Sequence, residues 1–312
     1  MASKQGIRRA VIVEPGYVSG TDPQALVVLG GRVNAGKLVI EDDAIALQSG
    51  RKLPNMYKHS FAAEIVNTSR PVLPALLLMA REGGAGVELI GARKTVTPAT
   101  YDGVFTYIGQ NRLGMKMKYK ASNKARTIEI ELKRLFDKDT HKAILDAAQT
   151  DTIQTFGASV GTQLAEVSAD PDNYTPTGYA EFNLGGTLLF DNADLKEFKL
   201  EVETAGDENI FEMLNVSYLN TKLEVTITNA SREKIKSLHE FTSLTPAIDF
   251  TLKNGANKWE KHVYNQGVLS LNRVTTIGDD ERTVKLVFEG QTPINMVTVV
   301  AASENLTVTH AL

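Results

Sequence analysis

A chain of 312 residues with 42% hydrophobic and 23% charged residues has the make-up of a folded protein of about two domains rather than a disordered one. With 34 Lys and Arg against 37 Asp and Glu, the net charge is −3, which excludes a bulk basic surface for tight binding of nucleic acid or an acidic membrane. The absence of cysteine excludes disulfides, thiolate metal sites and cysteine nucleophiles.

Residues 1–35 read as an arm with one or two short strands, at 10–13 and 25–29. Arg8 and Arg9 precede the first apolar run, but that run stops at Glu14, too short for the central region of a signal peptide. The longest apolar stretch, 71–80, is too short to span a bilayer. A soluble protein made in the cytoplasm is expected. Gly31-Arg32-Val33-Asn34-Ala35-Gly36-Lys37-Leu38 nearly spells a phosphate-binding loop, yet it lacks the closing Ser or Thr and leads into a strand. It reads as a glycine-rich turn before the strand begun by Leu38, Val39 and Ile40.

The stretch from Phe61 to Arg70 has a second version from Leu223 to Arg232. Phe61, Ala63 and Ile65 fall where Leu223, Val225 and Ile227 fall, and both stretches end in Asn-x-Ser-Arg, 162 residues apart. In each, alternate residues are apolar, the period of a half-buried strand, and the polar group that follows suits a helix cap. Aligning Gly36-Lys37-Leu38 with Gly186-Thr187-Leu188 gives an offset of 150, so an insertion of about twelve residues is expected in the second copy. The acidic run 201–209 suits it as an exposed loop or hairpin tip.

A short helix is expected at 71–81, limited by Pro74 and ended by Gly83 and Gly84, with a more polar counterpart at 233–241. A strand follows each, at 87–89 and at 248–252. Each unit then closes with a hairpin: 115–120 returning as 126–132, and 269–271 returning as 282–288. Arg126-Thr127 matches Arg282-Thr283, and Ile128, Ile130 and Leu132 match Val284, Leu286 and Phe288. Between the units, 137–149 reads as a connecting helix and 150–180 as linker. The expected domains are therefore 1–150, an arm with the first unit and the connecting helix, and 151–312, the second unit. One or two final strands are expected at 296–300 and 306–308.

No motif carries catalytic chemistry. His59, His141, His239, His262 and His310 are scattered without metal-ligand spacing, and Asp170-Pro171-Asp172-Asn173 lacks the glycine and closing Glu of a calcium loop. Neither a nucleophile elbow nor a distinctive carboxylate pair is present, so no enzyme, cofactor or metal is expected. Lys116, Lys118 and Lys120 fall on one face of a strand with Glu129 and Glu131 on its partner, a solvated ladder of ion pairs. The hairpin turns differ in sign: Lys120, Lys124 and Arg126 make the first basic, whereas Asp279, Asp280 and Glu281 make the second acidic. Those six residues are candidates for setting the register between copies of the chain.

A β-rich unit with one short helix and long amphipathic hairpins, occurring twice over roughly 36–135 and 186–290, resembles the tail-tube fold of bacteriophage tails. The resemblance implies a mainly β (α+β) chain of two tandem tube-like sandwich or barrel domains. It further implies a virion structural protein: three chains closing a pseudo-sixfold ring, rings stacking into a tube against other tail proteins, and DNA passing through the lumen without specific binding. A trimeric baseplate hub is the alternative within that class, and a carbohydrate- or protein-binding β module the alternative outside it.

Overall fold

The structure is a computed structural model that describes residues 10–13, 26–29, 32–46, 52–66, 77, 87–94, 101–109, 114–123, 126–139, 142, 179–191, 194–208, 214–228, 233–234, 236, 247–253, 259–265, 267–277, 282–302 and 305–312. The chain is mainly β. Among the described residues every element longer than a three-residue turn is a strand. Leu77, Lys138, Asp139, Lys142, Glu233, Lys234 and Lys236 are helical and fall within the three expected helices, whose remaining positions lie outside the described residues. So do both Asn-x-Ser-Arg groups.

Two compact units divide the chain. The first contains β1 (Ala10–Val13) paired with β2 (Leu26–Leu29), β3 (Arg32–Ala46) paired with β4 (Lys52–Val66), and β5 (Val87–Lys94) paired with β6 (Tyr101–Gly109). It also takes the base of the hairpin formed by β7 (Gly114–Ser122) and β8 (Arg126–Asp137), giving the strand order β7-β8-β4-β3. The near-match to a phosphate loop is strand for almost its whole length. Arg32–Leu38 runs within β3, its slack taken up by a register shift between Val33 and Ala35, so no loop is left to cradle a phosphate.

The second unit contains the tip of that hairpin, Lys118–Thr127, and most of the chain after Thr175. Its strands are β9 (Tyr179–Leu184), β10 (Thr187–Phe190), β11 (Leu195–Glu208), β12 (Leu214–Thr228), β13 (Ile248–Lys253), β14 (Trp259–Tyr264), β15 (Leu269–Ile277), β16 (Arg282–Pro293), β17 (Val297–Ala302) and β18 (Asn305–His310). Six form a sheet in the order β10-β9-β13-β14-β18-β17, parallel only where β14 meets β18. The other sheet runs β15-β16-β12-β11 and continues onto β7.

Alternation decides which faces meet. Leu223, Val225 and Ile227 on β12, and Phe288, Leu286 and Val284 on β16, are all buried, and the register sets them side by side. Aromatic rings from the two sheets fill the core. Phe182 lies 5.3 Å from Phe288 and Phe198 lies 5.5 Å from Phe250, centroid to centroid. Each fully buried ring contributes about 1.5–3 kcal/mol of transfer free energy. Gly185 and Gly186 take positive φ in the two-residue turn between β9 and β10. Gly290 is glycine for another reason, since a Cβ there would come 2.0 Å from the Val268 carbonyl oxygen. Gly290→Ala should therefore lower the unfolding free energy by roughly 1–3 kcal/mol, read as a lower denaturant midpoint at unchanged slope.

Four strands of the first series, β3, β4, β7 and β8, are close in length to β11, β12, β15 and β16. β4 and β12 are both 15 residues long and are offset by 162 at each end (52 to 214, 66 to 228); β3 and β11 end at Ala46 and Glu208, the same offset. β7 and β15 have nine residues each, β8 and β16 twelve. This corrects two expectations. Gly186 and Leu188 belong to the short hairpin β9–β10 and are not the counterparts of Gly36 and Leu38 in the long β3. The expected loop from Glu201 is strand as far as Glu208, because Phe198, Leu200, Val202 and Thr204 alternate inward along β11 and hold it in the sheet. The expected linker also ends early, at β9.

Candidate functional site

Two features of the second unit stand out: the charged outer face and free edge of the β15-β16-β12-β11 sheet, and a buried polar cluster beneath it. On the outer face the residues between the apolar ones are mostly charged. Lys118 lies 3.7 Å from Glu201 and 3.6 Å from Glu203, and Lys199 lies 2.8 Å from Glu201. Lys222 lies 3.1 Å from Glu224 and 3.4 Å from Glu289, and Lys285 lies 3.2 Å from Glu224. Burial would raise the Glu201 and Glu224 carboxyls, but Lys199 and Lys118 in one case, and Lys222 and Lys285 in the other, hold them below the usual carboxylate range. Each of these four lysines thus spends its charge on a neighbour.

The lysine row lies between two strands, the expected partner β8 on one side and β11 on the other. Lys118 pairs with carboxylates on β11, while Glu131, expected opposite the lysine row, pairs with Lys133 at 3.3 Å. The cause is the antiparallel register of β7 on β11, which sets Lys120 against Glu201 and Lys118 against Glu203. Sequence alternation reveals the lysine row and its hairpin partner β8, but not that β11 lies on the other side of β7.

Of the six residues expected to govern self-association, Lys120 is half-buried on the charged face, and Lys124, Asp279, Asp280 and Glu281 lie outside the described residues. Arg126 turns inward. Only 3% exposed, it places Nη2 3.1 Å from Glu260 Oε2, outside hydrogen-bond alignment, and Nε has no acceptor. Around Glu260 the other partners are aligned. Tyr119 Oη donates to Oε1 at 2.6 Å and to Oε2 at 2.8 Å, and His262 Nε2 donates to Oε1 at 2.8 Å.

Glu260, His262 and Tyr264 are successive inward positions of β14, and His310 arrives on β18 opposite Tyr264. The rings stack, with Tyr264 and His310 4.5 Å apart and His262 and His310 6.0 Å apart. Burial alone would raise the Glu260 carboxyl, but Arg126 first, then His262 and Tyr119, bring it down to about 2. Burial, with a smaller push from His262, lowers His310 to about 3. Burial also pushes the Tyr119 and Tyr264 phenols up, so both remain protonated donors. The Thr221 hydroxyl acts weakly on Tyr264, though neither makes an aligned hydrogen bond.

The cluster is an ionic clasp: a guanidinium from the β7–β8 tip, and a carboxylate from β14 held by a phenol and an imidazole. Sequence reading missed Tyr119, Glu260, His262, Tyr264 and His310. The one local signal was the shared phase of Glu260, His262 and Tyr264. Among the described residues no group of His, Asp or Glu is arranged to hold a metal ion, and no helix is long and apolar enough to cross a membrane. No protein-family model matches the chain, and no characterised protein matches it in sequence.

Proposed function

We propose that this chain is a self-assembling structural subunit, a phage tail-tube protein built from two tandem copies of one β unit, whose rings stack into a conduit for DNA. The observation that carries the reading is the junction at β7. β4, β7 and β8 match β12, β15 and β16 in length, and the edge strand of the first series, β7, pairs antiparallel with the edge strand of the second, β11, from Lys199↔Ser122 to Glu203↔Lys118. Two like series joined edge to edge leave one strand of each kind, β3 and β15, terminal in its sheet. Such complementary ends favour a head-to-tail contact that closes when the rotation per chain divides a full turn.

The charged face fits a conduit. A wall that releases DNA must not offer unpaired cations to phosphates, since each neutralised phosphate adds to affinity. Lys118, Lys199, Lys222 and Lys285 already have carboxylates at 2.8–3.7 Å.

Negative-stain electron microscopy of the purified chain at high concentration tests the reading. Hollow rings or filaments with three chains per layer are the expected result. Rings that never stack would assign the chain to a hub instead of a tube, and particles of monomer size throughout would overturn self-assembly.

A further inference from the structure

The polar cluster around Glu260 is not complete within the chain. Arg126 Nε and Nη2, His262 Nδ1, Tyr264 Oη, Thr221 Oγ1 and both ring nitrogens of His310 are buried without a hydrogen-bond partner in the protein. Among the described residues, two other buried side-chain atoms share that condition, Asp249 Oδ1 and Thr292 Oγ1. Such atoms are rare in folded proteins, because each has given up its bonds to solvent for nothing in return. A concentration of them in one place calls for a partner from outside the chain.

The five residues are neighbours, and none is more than 3% exposed. Tyr264 and His310 stand opposite each other on β14 and β18, and Thr221 on β12 is close enough to act on the Tyr264 phenol. His262 is the preceding inward position of β14, and Arg126 reaches the same carboxylate that His262 holds. The rings of His262 and His310 are 6.0 Å apart, against 4.5 Å for Tyr264 and His310, so the packing is looser between the two imidazoles.

His310 decides the chemistry of the partner. Burial keeps its ring neutral, so whichever tautomer it takes, one nitrogen needs an acceptor and the other a donor. An anion would serve only the first and a cation only the second. Either ion would also add a charge where Arg126 already opposes Glu260. Water donates and accepts, as the Tyr264 and Thr221 hydroxyls also require. The two nitrogens of an imidazole point away from each other, so no single molecule serves both.

We propose that a short chain of ordered water molecules, sealed between the two sheets of the second unit, joins His310 to the Tyr264 and Thr221 hydroxyls and to the open nitrogens of His262 and Arg126. Water then does for this layer what the contact of Phe182 with Phe288 does for the apolar core: it ties the sheet of β12 to that of β14 and β18. All of these residues lie in one unit, so the water is independent of how copies of the chain assemble.

The test is a crystal structure of the full chain at neutral pH, at a resolution that shows ordered solvent, beside that of Thr221→Val, which removes the hydroxyl and nearly keeps the shape. Water peaks within hydrogen-bond reach of both His310 nitrogens are expected, one of them shared with Thr221. That peak should vanish in Thr221→Val, and the denaturant midpoint should fall at unchanged slope. A parent structure with no solvent peak beside His310 would overturn the inference. So would an anomalous signal there after a bromide soak, which would assign the place to an anion. Should crystals fail, a higher midpoint in Thr221→Val overturns it as well, since a hydroxyl whose removal stabilises had no partner to lose.

Discussion

Replacing Arg126 by methionine should destabilise the protein by about 3–5 kcal/mol, the cost of leaving a buried carboxylate without its cation. Glu260 is fully buried, and Tyr119 and His262 supply hydrogen bonds but not the full positive charge of a guanidinium. The loss is thus far larger than for a solvent-screened surface pair such as Lys222 with Glu289. The double variant Arg126→Met with Glu260→Gln should recover much of the loss, because a neutral amide can still accept from Tyr119 and His262 without needing a cation. Denaturant unfolding of the parent, both single variants and the double variant closes the cycle. A methionine variant within about 1 kcal/mol of the parent would show that the pair contributes nothing net.

Acid should unfold the protein in two overlapping stages. His310 is neutral in the folded protein down to about pH 3, whereas in the unfolded chain it takes a proton below about 6.5. Between those values the unfolded state binds more protons, so stability is complete above pH 6.5 and falls as pH drops toward 3. The slope is about 1.4 kcal/mol per pH unit for one such group. Glu260 acts in the same direction but lower. Its folded value of about 2 lies below the ordinary 4.5, so its stabilisation is present above 4.5 and is lost as pH falls through 2. The upper stage belongs to His310 and should flatten in His310→Gln, while the lower stage remains. Unfolding free energies measured from pH 8 to pH 3 separate the two. An unchanged slope between 6.5 and 4.5 in the variant would rule out His310 as the source.

Much of the fold was legible wherever alternation was apolar. The hairpins β7–β8 and β15–β16, and strands β13 and β18, follow the pattern of inward apolar residues. β14 was not legible, because its inward positions carry Glu260, His262 and Tyr264 while Val263 is only half-buried, so its hydropathy runs against its burial. That inversion is stable only because Arg126 and Tyr119 come from about 140 residues earlier, which no local window contains. β9 was hidden by the Thr-, Ser- and Pro-rich stretch before it. In β11 the alternation of Phe198, Leu200 and Val202 was visible, but a glycine match at Gly36 and Gly186 outweighed it. The strand bounds, which need the backbone, set β4 and β12 162 residues apart at both ends. The lysine row was legible, but the pairing of Lys118 with Glu201 and Glu203 on β11 was not, for register between distant strands is set by the whole sheet.

The clasp also has a timetable. Tyr119 and Arg126 leave the ribosome long before Glu260, and His310, on a strand that lies inside its sheet between β14 and β17, comes later still. At roughly 5–20 residues per second, the interval from Tyr119 to His310 is on the order of ten to forty seconds. At its start the tip of the β7–β8 hairpin has its charge and apolar side chains but none of the surroundings that will bury them, and β11 and β14 arrive only in turn. The second unit is thus completed only after residue 310 emerges, and until then β14 keeps an unpaired edge.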